Sequence, residues 1–381
     1  MKNKWLLGLL MLVATSAGAQ QLAFGRQVVD TLTSPFFWGR GYTNNGLQKA
    51  AQYLTGQFAL FGLMPLKGNS FTQPFSYPVN TFPGTMEVRI NGVRLTPGAD
   101  FIVGEESKGV KASAALIKQD STHFVNMNER VVVELKDKLT WSVAPRAANY
   151  TAVYIDKKAL TTDPTFIEVN IENKTVGSFK AANVCGKVTG TQKPDSVVMI
   201  TAHYDHLGGM GSNTYFAGAN DNASGIALLL GLAKYYAQHP APYTMVFICF
   251  AGEEAGLLGS KYFVDHPLVP LKSVRFLTNI DLAGTGSEGI TVVNATEFAA
   301  EFKMLNVANS SRLLTAINAR GKAANSDHYW FTENGVPSFF IYTLGGIKAY
   351  HDVFDISATL PLNEYEDLLK LIVGFNKKLM E

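Results

Sequence analysis

Apolar and polar positions along the chain change texture three times. An apolar run from Trp5 to Val13 follows Lys2 and Lys4 and leads to Ala17-Gly18-Ala19. That layout predicts a removed export signal over residues 1–19, because an apolar run of about ten residues is half the roughly twenty that a membrane span needs. Next, Leu47, Ala51, Leu54, Phe58 and Phe61 recur at steps of four and three, the stripe of an amphipathic helix, and predict a helical N-terminal part over residues 20–83. Between 84 and 170 the runs shorten and alternate, as in Met86-Glu87-Val88-Arg89-Ile90, Val131 to Leu135 and Ala152 to Ile155. Gly, Pro and Asn punctuate them, which predicts a small β-rich insert.

From residue 171 to 381 strand and helix patterns alternate. Val197 to Ile200 and Tyr243 to Phe250 are continuous apolar runs, and the stretch between them carries a helical stripe at Ile226, Leu229, Leu230 and Ala233 that stops near Pro240. Two buried strands joined by a helix make a right-handed crossover in a mostly parallel sheet. Further strands are predicted at Val274–Ile280, Ile290–Asn294 and Ser338–Thr343, with a closing helix from Asn363 to Leu379. The fold class is therefore α/β, a mostly parallel mixed sheet flanked by helices, with the β-rich insert carried on it.

Composition sharpens this. Hydrophobic residues make up 47% of the chain, enough for a large core rather than a disordered segment. Without Lys2 and Lys4 the chain has 31 basic and 31 acidic residues, a balance that argues against nucleic acid or an anionic membrane as its partner. Cys185 and Cys249 are too few for a disulfide framework and read as buried thiols, with pairing the alternative in an oxidising compartment.

The chemistry follows from the strands. In open α/β sheets, functional groups gather beyond the carboxyl ends of the strands. His203 and Asp205 follow the first run, Glu253 and Glu254 follow Phe250, Asp281 follows Ile280, and His351 lies in the loop after Thr343. Asp221 stands at the start of the crossover helix, and Glu253-Glu254 reads as a helix opening. Alone, Asp221 is an ordinary helix cap and paired acids at a helix start merely suit its dipole. Together these groups form an imidazole and carboxylate set without thiolate, which suits zinc or another divalent first-row ion.

In chain order the motifs are His-Tyr-Asp-His, Asn-Asp-Asn-Ala-Ser-Gly, Phe-Ala-Gly-Glu-Glu, Asn-Ile-Asp and Tyr-His, and with them the chain resembles the zinc peptidases of family M28. The resemblance implies two zinc ions bridged by Asp221, one completed by His203 and Asp281 and the other by Glu254 and His351. It makes Glu253 the general base and Asp205 the group that orients the His203 ring, with Ser326-Asp327-His328 as structural support. The implied function is an exported zinc-dependent exopeptidase, an aminopeptidase acting on peptides through a water that two metal ions activate. Two alternatives stay open: a one-zinc glutaminyl cyclase-like acyltransferase, and a non-catalytic binding protein on the same fold. The insert bears a faint likeness to the protease-associated domain.

Gly284-Thr285-Gly286-Ser287-Glu288-Gly289 matches a dinucleotide-binding pattern, which requires a helix to follow; Ile290 to Val293 reads as a strand instead. Ser224 lacks the flanking glycines of a nucleophile elbow, so a serine hydrolase is disfavoured.

Overall fold

The computed structural model describes residues 20–381, so the export signal expected over residues 1–19 lies outside them. A nine-stranded mixed sheet forms its centre. The strands Tyr243–Phe250, Lys193–His203, Val274–Ile280 and Ser338–Thr343 lie side by side and parallel. Lys174–Val188 adds on antiparallel at one side and Ile290–Val293 at the other. Strand side chains alternate between faces, and both faces of this sheet are covered. Met245, Phe247 and Cys249 pack with the helices Gly225–Gln238 and Tyr365–Met380 on one side. Val246, Ile248 and Phe250 pack with Phe263 and Phe331, from the helices Leu258–Asp265 and His328–Glu333, on the other. Continuous apolar runs are what such doubly covered strands require. Both cysteines are buried and unpaired.

The helix stripe beginning at Leu47 is realised as Gly46–Leu60, and the run after Gly289 is a strand, as read. Two local readings are corrected. Thr72–Thr81, expected within a helical part, is a strand paired antiparallel with Lys174–Val188; its β-branched and aromatic residues pack on that neighbour, and helical spacing is lost. Glu253 and Glu254 do not open a helix but lie in a turn, and the helix starts at Leu258. Gly252 has φ +71° and Leu257 φ +59°, so the chain is turned at both ends before it can wind.

The insert holds two small sheets. One contains Met86–Ile90, Phe166–Ile171 and Val110–Ala115; the other contains Phe101–Val103, Thr151–Asp156 and Val131–Lys136. Its core is not self-contained, because Leu207, Met210 and Phe216, from the loop after His206, are buried in it. Among the described residues no helix is long and apolar enough to cross a membrane.

Candidate metal centre

Register places the first pair of groups. Thr201 is paired with Asn279 on the adjacent parallel strand, so His203 and Asp281, each two residues further, emerge side by side on the same face. His203 Nε2 lies 3.2 Å from Asp281 Oδ1 and 3.3 Å from Asp221 Oδ1. Behind them, Thr201 donates to Asn279 Oδ1, Asn279 to Ser326 Oγ, and Ser326 to Asp281 Oδ2, at 2.8, 2.8 and 3.2 Å.

The second pair comes from loops. His351 Nε2 lies 3.1 Å from Asp221 Oδ2 and 3.2 Å from Glu254 Oε2. Glu254 Oε1 is 2.7 Å from His206 Nδ1. The His203 side chain is 1% exposed and that of His351 14%, so the centre opens on the His351 side.

Asp221 stands between the pairs. Rather than a plain helix start, it occupies a non-helical residue (φ −108°, ψ 96°) within the single turn Ala219–Ser224 that precedes Gly225–Gln238. Its amide and that of Asn220 donate to the Asp355 carboxylate at 3.0 and 2.8 Å. Its main-chain oxygen accepts from Arg40, whose guanidinium also reaches the main-chain oxygens of Leu32, Tyr204, Ala217 and Gly218. Gly218 has φ +60°, and a Cβ there would run into the Asp221 main-chain oxygen and the His206 ring. Burial lowers the Arg40 pKa to about 10, against the pull of Asp221 and Asp355. Arg40 thus remains a cation at neutral pH and ties the Asp221 turn to the chain's first hundred residues.

Asp205 is divided between two tasks. Its main-chain oxygen lies 3.2 Å from His203 Nδ1, whereas its carboxylate is 3.8 Å from that nitrogen. The carboxylate oxygens instead accept the main-chain N–H groups of Glu253 and Glu254, at 3.2 and 3.3 Å. Asp205 therefore fixes the turn that carries both glutamates. Asp327 is fully buried beside this group, and burial raises its pKa to about 7.

Several contributors were not singled out from sequence. His206 lies within the His-Tyr-Asp-His motif and Asp355 four residues after His351, so adjacency could have flagged them. Arg40 and Trp141, whose main-chain oxygen lies 2.9 Å from His351 Nδ1, act through main-chain oxygens far away in sequence. No local pattern marks them.

The donor set fits zinc. Ligand atoms about 2.0–2.1 Å from a tetrahedral ion are about 3.3 Å apart, and the donor pairs here lie 3.1–3.3 Å apart. The electrostatics agree. Burial would lower the His351 pKa, but Glu254 and Asp221 outweigh it and hold it at about 11; His203 is likewise raised against burial, by Asp281 and Glu253. The carboxylate field that raises both histidines is one that a dication would balance. Donor atoms of His203, Asp221 and Glu254 lie within 4.8 Å of one another, as do those of His203, Glu253 and Asp281. His203 belongs to both groups, and the two oxygens of Asp221 are turned to different histidines.

The sequence profile of Peptidase family M28 matches residues 183–375. Aminopeptidase YwaD of Bacillus subtilis is 33% identical over 195 residues, 48% of this chain and 39% of that protein, so the match spans well under half the relative's length. Among solved structures, a Peptidase M28 precursor from Shewanella amazonensis superimposes with a TM-score of 0.74 at 16% identity, covering 97% of this chain and 96% of that one. The zinc aminopeptidase BSAP from Bacillus subtilis does so with a TM-score of 0.69 at 17% identity, covering 93% and 94%. These two share the α/β fold, and the profile match extends over half the chain, from the strand before His203 to the closing helix: the chain belongs to peptidase family M28.

Proposed function

We propose that this chain is an exported zinc-dependent aminopeptidase whose centre holds two ions. The observation that carries the reading is the Asp221 carboxylate, with one oxygen 3.3 Å from His203 Nε2 and the other 3.1 Å from His351 Nε2, the arrangement a bridging ligand needs. His203 and Asp281 would complete one ion's protein ligands, and Glu254 and His351 the other's. Zinc bound there would supply Lewis acidity, lowering the pKa of water and polarising a carbonyl.

The rest is the work of the chain's own residues. Glu253 sits against His203 and Asp281, and burial pushes its carboxyl well above the ordinary range, which suits a group that must take a proton from water and return it to the leaving amine. Asp205 and His206 keep the glutamates aimed. Among the described residues at the centre no lysine or arginine is free to pair with a substrate's terminal carboxylate, which favours the α-amino end. Arg40, the buried cation behind the centre, directs its donors at main-chain oxygens and is not available to hold a carboxylate. The names of the relatives, aminopeptidase and zinc aminopeptidase, support the same end of the peptide. We divide the mature chain into a peptidase domain, residues 20–83 and 171–381, and the insert, residues 84–170.

Metal analysis of the purified protein beside a panel of chromogenic peptides blocked at either end tests this. Two zinc ions per chain with release of N-terminal residues is the expected result. One zinc with cyclisation of N-terminal glutamine and no hydrolysis would overturn it in favour of a cyclase-like enzyme.

A further inference from the structure

We propose that the insert is a positioning element for the metal centre: through Trp141 it sets the orientation and tautomer of the His351 ring. The inference rests on the reading of His351 as a ligand. The loop carrying His351 meets the insert in a paired main-chain contact, in which Trp141 N–H donates to the His351 oxygen at 2.8 Å and the His351 ring Nδ1 lies 2.9 Å from the Trp141 oxygen. A carbonyl can only accept, so Nδ1 must carry a proton, and Nε2, facing Asp221 and Glu254, is the nitrogen that would give its lone pair to a metal ion.

On the peptidase side the loop is held four residues further on, where Asp355 meets the amides of Asn220 and Asp221, and Tyr350 stacks on the His351 ring with centroids 4.0 Å apart. His351 has φ +53°, a left-handed conformation that a non-glycine residue keeps only where its surroundings impose it. On the main-chain side these surroundings come from the insert. Lys138 reaches the Asp352 carboxylate at 3.4 Å and the Lys348 main-chain oxygen at 3.0 Å, and Val353 packs on the insert core. Trp141 is itself fixed from both sides. Its Nε1–H donates to the Val103 main-chain oxygen at 2.7 Å, within the insert, and its ring stacks on Phe216 of the peptidase part, centroids 4.8 Å apart. The insert thus reaches the centre without contributing a ligand, and excising it would release the ring of one.

The test measures zinc affinity, not turnover, by titrating the metal-free full-length protein against a chromophoric chelator. Trp141→Ala keeps the main-chain oxygen but removes the ring that fixes it through Val103 and Phe216; it is expected to weaken one of two zinc affinities by about 10-fold and no more than the roughly 100-fold of an orienting partner lost outright, and to leave the other within a few fold. Lys138→Ala, at a side chain 50% exposed, should shift the same affinity less and keeps the test valid if Trp141→Ala fails to fold. His351→Ala should abolish that affinity, and on its background Trp141→Ala should have no further effect on zinc. A folded Trp141→Ala protein with both affinities intact, beside a His351→Ala protein that has lost one, overturns the positioning role alone. Equal losses from Trp141→Ala with and without His351 also overturn it, because they mark a general structural role. If His351→Ala leaves both affinities intact, the ligand reading fails and the proposal with it.

Discussion

His203 and Asp281 stand at the ends of neighbouring parallel strands, whereas Glu254 and His351 hang from loops that begin where two other strands stop. The first pair inherits its spacing from sheet register, and a chain of buried side-chain hydrogen bonds through Ser326 and Asn279 backs it. The second pair has no such frame. Its spacing comes from added contacts: the Asp205 carboxylate under the Glu253-Glu254 turn, His206 against Glu254, and Trp141 against His351. It is also the side open to solvent. A sheet edge supplies precision through hydrogen-bond geometry alone, while a loop needs a dedicated partner for each side chain it must aim.

The comparison can be broken at several points. The largest effect is expected at Glu253, which lies against the strand-borne pair: Glu253→Gln keeps the shape but cannot take a proton, so hydrolysis should fall by about 10² to 10⁴ with zinc content near normal. Near-normal turnover in that variant would remove Glu253 from the chemistry. Asp221 belongs to both halves, and Asp221→Asn should weaken both zinc affinities by more than about 100-fold, beyond what a merely orienting group contributes. Full occupancy by two ions, measured by elemental analysis, would reduce Asp221 to a structural turn residue.

Asp205 sharpens the contrast. If its carboxylate serves the glutamate turn, Asp205→Asn should cost about 10- to 100-fold in the affinity that Glu254 controls and little in that of His203. The opposite pattern in a zinc titration would return the carboxylate to the His203 ring. The smallest effect is expected at Ser326. Removing one hydrogen bond to Asp281 by Ser326→Ala should cost about 0.5–1.5 kcal/mol, less than or about tenfold in the zinc affinity of the strand-borne half. A loss confined to the other half would show that the two halves are not independently braced.

The same contrast explains what could be read from the sequence. Tyr243–Phe250 was visible end to end because a strand buried on both faces is nearly continuously apolar, Val274–Ile280 and Ser338–Thr343 stood out by their apolar cores Phe276-Leu277 and Phe339 to Ile341, and the acids and histidines just beyond them mark the sheet's functional edge. Glu253 and Glu254 were readable as chemistry but not as geometry. Their turn depends on Asp205, forty-eight residues earlier, and on two left-handed residues that local helix signals do not reveal. Thr72–Thr81 was missed because its strand character depends on pairing with Lys174–Val188, across the whole insert. Arg40 and Trp141 were illegible for a stricter reason: Arg40 bonds main-chain oxygens and Trp141 offers its own main-chain oxygen, and a backbone partner leaves no mark in the residue types.

The Asp221 turn has a consequence for the order in which the molecule becomes competent during synthesis. Arg40, 181 residues before Asp221, is made before it, but Asp355, 134 residues after it, and His351 are made only later. A growing chain can lay down the parallel strands and bring Arg40 to its acceptors while the Asp221 amide still lacks its carboxylate and one histidine of the centre does not yet exist. On the proposed reading the centre is closed by residues 351–355, so a chain broken before them lacks one proposed ligand and the carboxylate that accepts the Asp221 amide.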